Sequence, residues 1–265
     1  MHRASTVSQT SIRLKGKPIP GAEDRQRLIP GFAQEIISKS SVCCVGAGGL
    51  ISQIAPTLVR KGIGRITLLD GDTVEASNLN RQRFYEKDLG KNKALALAEN
   101  LQQECIASTD IHGVALPLEA AIERGMDLSC DITICAVDNN PARVAASRFF
   151  RAKGIPVIFT AVSRDGDHGY IFVQGRAGPC IGCLFPDMAD DDRYPCPGTP
   201  AIVDILQAVG ALAVYAVDTL LMPRPRTWNY RRISLSDGSL DGATLMPARQ
   251  GCRLFAPGFD EQAVH

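Results

Sequence analysis

The sequence predicts an α/β fold: a Rossmann-like, mostly parallel sheet with helices on both faces, extended by a C-terminal antiparallel β region. Short apolar runs alternate with helical patterns through the middle of the chain, which is typical of buried parallel strands joined by crossover helices. A glycine-rich segment follows the first apolar run, at the point where open parallel sheets bind ligands. The chain has 265 residues, 45% hydrophobic and 22% charged, which excludes a disordered or fibrous protein.

The predicted strands and helices follow each other in the order that right-handed crossovers require. Strands are expected at residues 42–45, 65–69, 131–136, 155–159 and 170–173. Helical patterns run from Ile51 to Lys61 and from Lys93 to Gln103, between successive strands. The last fifty residues read as irregular or β-rich, with a strand region from Trp228 to Ser236. These elements predict one sheet that changes from parallel to antiparallel towards the end of the chain.

One stretch, Val203 to Met222, is nearly all apolar and has the length of a membrane span. It contains Asp204, Gln207 and Asp218, and placing such polar groups in a bilayer is costly. The pattern therefore favours a helix buried in the core over a transmembrane helix, and no membrane association is expected.

The N-terminus, the cysteine count and the overall charge indicate a reduced, cytoplasmic protein. Residues 1–24 are polar and contain glycine and proline, so we expect a flexible N-terminal arm followed by a single domain over residues 25–265. Met1 to Thr10 lacks the apolar core of a secretory signal, and nine cysteines, an odd number, argue against a disulfide scaffold. With 29 Lys and Arg against 28 Asp and Glu, the net charge of +1 excludes a globally basic nucleic-acid binder.

The glycine-rich segment Gly46-Ala47-Gly48-Gly49 has the features of a phosphate-binding loop. Glycines permit a tight turn after the strand and let a phosphate approach the backbone N–H groups at the start of the helix. Asp70 ends the next strand, where a carboxylate can accept hydrogen bonds from ribose hydroxyls. Ile51 occupies the position at which a dinucleotide fingerprint requires Gly or Ala, so the loop matches NAD binding poorly. A tight turn without any ligand is the structural alternative.

A second group of polar residues indicates a triphosphate. Arg81 lies in the run Ser77-Asn78-Leu79-Asn80-Arg81-Gln82, and Lys93 opens the following helix. Two cations so close to a ribose site suit an enzyme that neutralises several phosphate charges. Asp138, with Asn139 beside it, follows a predicted strand, and a carboxylate there suits magnesium held between phosphates. Taken separately, the cations fit a solvated surface and Asp138-Asn139 fits a turn or helix cap. Their occurrence together favours nucleotide chemistry.

In this order the motifs resemble those of the ubiquitin-activating enzyme superfamily of ThiF/MoeB/HesA type. The matching patterns are Gly-x-Gly-Gly-Leu, Leu-x-Asp-x-Asp-x-Val-x-x-Ser-Asn-Leu-x-Arg-Gln, Gly-x-x-Lys and Asp-Asn. The resemblance extends from about Arg25 to Cys252, and the segment from Ser77 to Gln82 is its most specific part. It implies a nucleotide-binding half at about residues 41–160 and a partner-binding half at about residues 161–265.

The resemblance implies an ATP-dependent adenylyltransferase. Members of this superfamily adenylate the C-terminal carboxylate of a small ubiquitin-like protein with a β-grasp fold, and they release pyrophosphate. The residues that match their nucleotide-binding positions are Gly46, Gly48, Gly49, Asp70, Asp72, Asn78, Arg81, Gln82, Lys93 and Asp138. Asp138 matches the carboxylate that holds Mg²⁺, and Arg81 and Lys93 match cations that act on the phosphates in catalysis.

The resemblance also implies partners. Arg25, in Arg25-Gln26, matches an arginine that reaches the ATP bound by the second subunit, so a homodimer is implied and would be needed for activity. In different members the adenylate leads to a thioester, a conjugate or sulfur transfer. A conjugating enzyme or a sulfurtransferase is therefore the implied downstream partner.

Three cysteines match part of a zinc site. Cys180 and Cys183 have the spacing of half such a site. In the resembled superfamily a second Cys-x-x-Cys near the C-terminus completes a four-cysteine centre. Here Cys252 matches the third ligand, but Phe255 stands at the position of the fourth. The sequence therefore leaves zinc binding open.

Cys196 lies in a loop rich in proline and glycine that matches the superfamily's crossover segment over the adenylation site. In some members a cysteine there takes the acyl group from the adenylate and forms a thioester. Cys196 is predicted either to act in this way or to be an incidental loop residue. It is also, with His265, a candidate for the missing zinc ligand, although no spacing supports either. The other five cysteines are expected to be structural.

Four other functions fit parts of the sequence. Related enzymes with the same fold adenylate peptides or act in tRNA modification. A non-catalytic dimeric scaffold fits Ile51 and Phe255, two departures from the superfamily's pattern, whereas the retained cations and Asp138 argue against it. An NAD-dependent oxidoreductase is the weakest of the alternatives.

Overall fold

The computed structural model describes residues 10–188, 201–252 and 254, which form one nine-stranded sheet covered by helices. The strands are Ser11–Lys15 (β1), Ser41–Val45 (β2), Arg65–Leu69 (β3), Asp110–Val114 (β4), Ile132–Cys135 (β5), Val157–Val162 (β6), His168–Gln174 (β7), Tyr230–Ser234 (β8) and Gly242–Thr244 (β9). The helices are Asp24–Arg27 (α1), Gln34–Ile37 (α2), Gly49–Arg60 (α3), Lys93–Glu104 (α4), Leu118–Glu123 (α5), Asn140–Ala152 (α6), Ile181–Leu184 (α7) and Val203–Leu221 (α8). The strands lie in the order β1-β4-β3-β2-β5-β6-β7-β8-β9.

Parallel strands form the centre of the sheet. β2 pairs with β3 and β5, β3 also pairs with β4, and β5 pairs with β6, all in parallel. Every residue of β2 is buried, as its continuous apolar run predicts for a strand covered on both faces. The carboxyl ends of these parallel strands therefore meet at one edge of the sheet.

Helices cover both faces of the sheet. On one face, α3, α4 and α8 pack against alternate strand residues such as Cys44 and Ile158. On the other face, α5, α6 and α7 pack against residues such as Val45 and Phe159. The predicted α/β class, with helices on both faces of a mostly parallel sheet, is confirmed.

Antiparallel strands extend the sheet on its C-terminal side. β7 pairs antiparallel with β6, β8 with β7, and β9 with β8. The strand expected at residues 170–173 lies within β7, and β8 lies within the strand region expected from Trp228 to Ser236. The predicted C-terminal antiparallel extension is therefore confirmed.

The N-terminal segment does not match the predicted flexible arm. Residues 11–15 form β1, an edge strand paired antiparallel with β4. The pairing continues where the Gly16 N–H donates to the Thr109 carbonyl at 2.8 Å. The arm prediction is wrong for this segment, and β4 was missed as well, because neither five-residue strand contains a continuous apolar run. Residues 1–9 lie outside the described part of the chain.

Helix α8 is long and apolar enough to cross a membrane, with a mean hydropathy of 1.5. Half of it is buried within the protein, where it packs on α3, β6 and β7. Its Asp218 is buried and forms ion pairs with Lys61 and with Arg224, whose Nη1 lies 2.8 Å from Oδ2. These contacts are those of the predicted core helix.

Candidate functional site

A cavity of about 1420 Å³ opens along the edge where the parallel strands end. Its walls come from the loops after β2, β3 and β5, the start of α4, parts of β6 and β7 and the segment after α7. Ten predicted site residues line it: Gly46, Gly48, Gly49, Asp70, Asp72, Asn78, Arg81, Gln82, Lys93 and Asp138. The fold therefore brings the whole predicted nucleotide-binding set to one place.

The glycine loop joins β2 to α3 in a conformation that depends on glycine. Gly46 has a φ of +93°, and a Cβ there would lie 3.3 Å from the carbonyl oxygen of Ala136. Gly48 is the N-cap of α3, and a Cβ on it would meet nothing within 4 Å. There is therefore open space beside the first turn of α3, which lines the cavity, and an anion there can bind the N–H groups at the start of the helix.

Asp70 holds this loop in place. Its Oδ2 accepts a hydrogen bond from the Ala47 N–H at 2.7 Å, and its Oδ1 accepts one from the Asp72 N–H at 2.8 Å. Burial raises the pKa of the Asp70 carboxyl, while the two N–H groups act to lower that pKa. Asp70 thus has a structural function that the sequence did not reveal, and its function as a ribose ligand stays a prediction.

The segment after β3 positions Asn78 and Arg81 at the cavity wall. The Asn78 Oδ1 accepts a hydrogen bond from the Glu75 N–H at 3.0 Å, which caps a 3₁₀ turn. The Arg81 Nη1 donates to the Ser77 carbonyl at 2.6 Å and to the Asn80 Oδ1 at 2.9 Å. Because a guanidinium carries five N–H groups, Arg81 keeps donors for a phosphate while these contacts hold it in place.

Lys93 and Asp72, which also line the cavity, form an ion pair with 2.9 Å between Nζ and Oδ2. The Lys93 side chain is 13% exposed and that of Asp72 is 73% exposed. Asn92 caps α4 by accepting from the Ala94 N–H, and it donates to the Asp70 carbonyl at 2.8 Å. Lys93 is therefore held near Asp70, and its pairing with an exposed carboxylate is weak enough for a phosphate to replace it.

Asp138 follows β5 and is exposed within the cavity lining. Its neighbour Asn139 caps α6, since the Asn139 Oδ1 accepts from the Ala142 N–H at 2.9 Å. The cap function that the sequence allowed for this pair thus belongs to Asn139. The Asp138 carboxylate forms no hydrogen bond or ion pair with any of the described residues, so its oxygens are available to a cation.

Two buried oxygens at the cavity wall lack a hydrogen-bond partner within the described part of the chain. They are the Gln82 Oε1 and the Thr160 Oγ1. Buried polar atoms without a partner are rare in folded proteins. This part of the wall is therefore suited to a polar ligand rather than to apolar packing.

The cavity is also lined by residues that were not predicted as site residues from the sequence. Arg143 on α6 lines it together with Tyr170 and Phe185, whose ring centroids are 5.4 Å apart. Burial raises the pKa of Tyr170 to about 12, so this residue is a neutral phenol at physiological pH. Arg143 was recognisable from its place five residues after Asp138, on the helix that this motif opens. Tyr170 and Phe185 belong to no motif.

One predicted catalytic residue, Arg25, does not line this cavity. Arg25 lies on α1, is exposed and does not line the cavity of its own chain. Its neighbour Gln26 anchors α1, because its Nε2 donates to the Gln34 Oε1 at 2.6 Å and to the Lys61 carbonyl at 3.1 Å. Cys196 lies outside the described residues.

The cysteine cluster, defined as Cys180, Cys183 and Cys252, is assembled as the sequence predicts. The Cys180 Sγ lies 3.7 Å from the Cys183 Sγ and 3.4 Å from the Cys252 Sγ, and all three sulfur atoms lie within 4.8 Å of one another. Cys180 is buried and the other two are half-buried. Phe255 and His265 lie outside the described residues.

The other five cysteines occupy structural positions. Cys43, Cys44 and Cys135 are buried in β2 and β5, as predicted. Burial raises the pKa of the Cys135 thiol to about 12 and keeps it protonated at neutral pH. Cys105 is buried and Cys130 is half-buried, and neither belongs to a metal-ligand group of described residues.

Comparison with known proteins gives a consistent set of relatives. The ThiF family model matches residues 23–254. The chain is 33% identical over 210 residues to the sulfur carrier protein adenylyltransferase of Thermus thermophilus, covering 74% of this chain and 76% of that protein. It is 31% identical over 204 residues to the adenylyltransferase and sulfurtransferase MOCS3 of Xenopus laevis, of which it spans 44%. The SAMP-activating enzyme E1 of Haloferax volcanii is 29% identical over 189 residues.

Solved structures share the fold. Escherichia coli MccB in complex with ATP superposes with a TM-score of 0.68 at 19% sequence identity, covering 84% of this chain and 68% of that one. PaaA superposes with a TM-score of 0.63 at 21% identity, covering 82% of this chain and 67% of that one. The curated relatives are more similar in sequence, although the chain spans less than half of the MOCS3 protein.

Proposed function

The chain belongs to the ThiF family, and we propose that it is an ATP-dependent adenylyltransferase acting on the C-terminal carboxylate of a small ubiquitin-like protein. The observation that carries the proposal is the cavity, which gathers the glycine loop, Arg81, Lys93 and Asp138 from separate segments. The relative from Thermus thermophilus is a sulfur carrier protein adenylyltransferase. We take a sulfur carrier protein, or another small protein with a β-grasp fold, as the partner of this chain.

Adenylation forms one bond and breaks one bond at the α-phosphorus of ATP. An oxygen of the partner's C-terminal carboxylate attacks the α-phosphorus, and the bond from that phosphorus to the oxygen bridging to the β-phosphate breaks. Pyrophosphate leaves with the electron pair. The carboxylate is already ionised at neutral pH, so no general base is needed. Catalysis therefore consists of alignment for in-line attack and stabilisation of the charge on the phosphates.

The protein's own groups divide this work between them. The N–H groups at the start of α3 bind phosphate oxygens, and Lys93 and Arg81, which both line the cavity, bind the phosphate chain. The part of the cavity lined by Arg143 and Tyr170 receives the carboxylate tail of the partner. Both reactants are then held in one cavity with the acceptor carboxylate next to the α-phosphate.

Two metal ions fit the residues that are present. Asp138 offers an uncommitted carboxylate next to the phosphate loop, which is the donor that Mg²⁺ prefers. Magnesium bound with ATP neutralises part of the charge on the phosphates. The cysteine cluster offers three thiolates, which are zinc ligands.

Arg25 acts across a dimer in this proposal. It lies outside the cavity of its own chain, and α1 is anchored with Arg25 exposed, as a residue supplied to a second copy must be. We therefore assign the active form to a homodimer in which each Arg25 completes the other copy's site. We place the protein in the cytoplasm, with a conjugating enzyme or a sulfurtransferase acting after it.

Exchange of radiolabelled pyrophosphate into ATP tests the proposal. The reaction mixture contains the chain, Mg²⁺, ATP and a purified sulfur carrier protein that ends in Gly-Gly. Exchange that depends on this carrier is expected for the wild-type chain. Arg81→Ala is expected to lower the exchange rate about 10²- to 10³-fold, because it removes a charge-stabilising donor.

The matched control is Arg83→Ala, two residues along the chain and outside the cavity lining. The Arg83 side chain is 47% exposed and lies 4.0 Å from Glu104, so its loss should leave the exchange rate unchanged. Exchange at the wild-type rate in Arg81→Ala, with its fold intact, would contradict the proposal. Exchange that depends on a short peptide but not on any β-grasp protein would replace the proposed partner by a peptide.

A further inference from the structure

The three sulfur atoms of the cysteine cluster are spaced like the ligands of a tetrahedral zinc site. Zn–S bonds of about 2.3 Å place the sulfur atoms of a tetrahedral site about 3.8 Å apart. The Cys180 Sγ lies 3.7 Å from the Cys183 Sγ and 3.4 Å from the Cys252 Sγ, close to that separation. Three vertices of a tetrahedron are therefore already in place.

A fourth ligand does not join these three from the described residues. Within residues 10–188, 201–252 and 254, no other His, Cys, Asp or Glu ligand atom belongs to the group. Phe255 stands three positions after Cys252, which is the place of the second cysteine in a Cys-x-x-Cys pair, and a phenyl ring offers no donor atom. The residue at the position expected for the fourth ligand, Phe255, therefore cannot bind the metal.

Solvent reaches the cluster from one side. Cys180 is buried with 1% of its surface exposed, whereas Cys183 and Cys252 are half-buried. The Arg249 N–H donates to the Cys183 Sγ at 3.3 Å, which supports negative charge on that sulfur. A Cβ on Gly182 would lie 2.5 Å from the Leu254 Cδ1, so Leu254 packs on the turn between Cys180 and Cys183. Among the described residues, Cys183 and Cys252 are therefore the members of the cluster that solvent can reach.

We infer that the cluster binds one zinc ion through three thiolates and that a small ligand from solvent occupies and exchanges at the fourth position. Water fills this position at rest, and a neutral imidazole or a small thiol replaces water when supplied. Structural zinc sites are closed by four protein ligands, whereas a site with three protein ligands keeps an exchangeable position. The inference rests on the proposed zinc but not on the adenylation chemistry.

Cobalt substitution of the full chain tests the coordination directly. The zinc content of chain purified without chelator should be about one ion per chain. After replacement by Co²⁺, the charge-transfer absorption should correspond to three thiolates, and added imidazole or a small thiol should shift the d–d bands. Phe255→Cys is the matched variant. It should add about one third to the charge-transfer intensity and make the d–d bands insensitive to imidazole.

Zinc release to a chromogenic chelator gives a second readout. Because Phe255→Cys supplies a fourth thiolate, zinc release should be at least about tenfold slower than from the wild type. If this variant folds poorly, Cys252→Ser in the wild-type background still reports on the site. It should lower the charge-transfer intensity by about one third and speed zinc release.

Variants of the two candidate ligands that lie outside the described residues complete the test. Cys196→Ala and His265→Ala should leave the cobalt spectrum unchanged. A loss of one thiolate's absorption in Cys196→Ala, a changed spectrum in His265→Ala, a four-thiolate wild-type spectrum, or no bound metal would each overturn the inference. Pyrophosphate exchange is measured on the same samples. Normal exchange with any of these results overturns the coordination alone, whereas the expected spectra without exchange overturn the proposed function alone.

Discussion

The nucleotide edge, meaning the loops after β2, β3 and β5, and the cysteine cluster are built in different ways. At the edge, three site residues lie within a few residues of a strand end: Gly46 follows β2, Asp70 follows β3 and Asp138 follows β5. The cluster joins Cys180 to Cys252, 72 residues further along the chain. Parallel pairing of β2, β3 and β5 brings Gly46, Asp70 and Asp138 to one edge of the sheet. The cysteine cluster instead forms because the chain after the antiparallel strands β8 and β9 passes close to Cys180.

Residues expected to bind the nucleotide and residues that stabilise the fold lie largely in different parts of the protein. Arg81, Lys93 and Asp138 line an open cavity, whereas Asp70 and Asn78 also hold its loops in place. The Asp218 ion pairs, by contrast, are buried and join α8 to Lys61 at the end of α3 and to Arg224 after α8. Substitution of Asp138 or Arg81 should therefore change activity without unfolding the protein, and substitution of Asp218 should do the opposite.

The largest expected effect belongs to Asp138 at the nucleotide edge. Asp138→Ala removes the proposed magnesium carboxylate, and the rate of magnesium-dependent pyrophosphate exchange should fall about 10²- to 10³-fold. The free energy of unfolding in urea should stay within about 0.5 kcal/mol of the wild type, because the side chain is exposed. Asp165→Ala, an exposed neighbour outside the cavity lining, serves as the control. Normal exchange in Asp138→Ala would contradict the proposed binding of magnesium by Asp138. A large loss of stability would contradict the expectation that this exposed side chain contributes little to folding.

The same difference explains how much could be predicted from the sequence. Strand β2 and helix α3 were predicted within two residues at each end, because a continuous apolar run and a helical pattern are local signals. Gly46, Asp70 and Asp138 were found because they follow strands whose carboxyl ends meet at one sheet edge, whereas Asp72, Asn78, Gln82 and the functions of Arg81 and Lys93 came from the resemblance to the superfamily.

What the sequence missed depends on contacts between distant segments. β1 is an edge strand whose pairing with β4 spans about a hundred residues, and neither strand has an apolar run. Tyr170 reaches the cavity because β7 folds back beside β6, and Phe185 packs against the Tyr170 ring. No local sequence pattern predicts which distant strands will pair in this way.

The Asp218 ion pairs should carry the largest effect on stability. Asp218→Ala leaves Lys61 and Arg224 without their buried carboxylate, and the free energy of unfolding should fall by about 3 kcal/mol. The control is Asp110→Ala, which removes an ion pair with Lys15 whose side chains are 58% and 63% exposed. That change should cost less than about 0.5 kcal/mol. Urea denaturation compares the two variants. Equal losses in the free energy of unfolding would show that the buried ion pairs stabilise the protein no more than the exposed one.

Gly46 and Gly48, in the same loop of the nucleotide edge, should differ in their effects on stability and on ATP binding. Gly46→Ala places a side chain at a φ of +93°, which should lower the free energy of unfolding by about 1–2 kcal/mol. Gly48→Ala meets no atom within 4 Å and should change stability by less than about 0.5 kcal/mol. Its methyl group would instead occupy space next to the N–H groups that bind phosphate, so the KM for ATP should rise. A Gly48→Ala variant with an unchanged KM would argue against a phosphate at this loop.

The smallest expected effect is a pH dependence at the peripheral pair β1–β4. Burial lowers the pKa of His112, and the nearby Arg13 and Arg65 lower it further. The folded protein therefore binds a proton at His112 less readily than the unfolded chain does. As the pH falls through the ordinary histidine range, near 6.5, the unfolded chain takes up this proton first and the folded state loses stability. Unfolding in urea at pH 7.5 and pH 5.5 measures this loss, and His112→Gln should show a smaller difference between the two pH values. An equal difference in both proteins would contradict this prediction, because it would mean that His112 does not contribute to the pH dependence of stability.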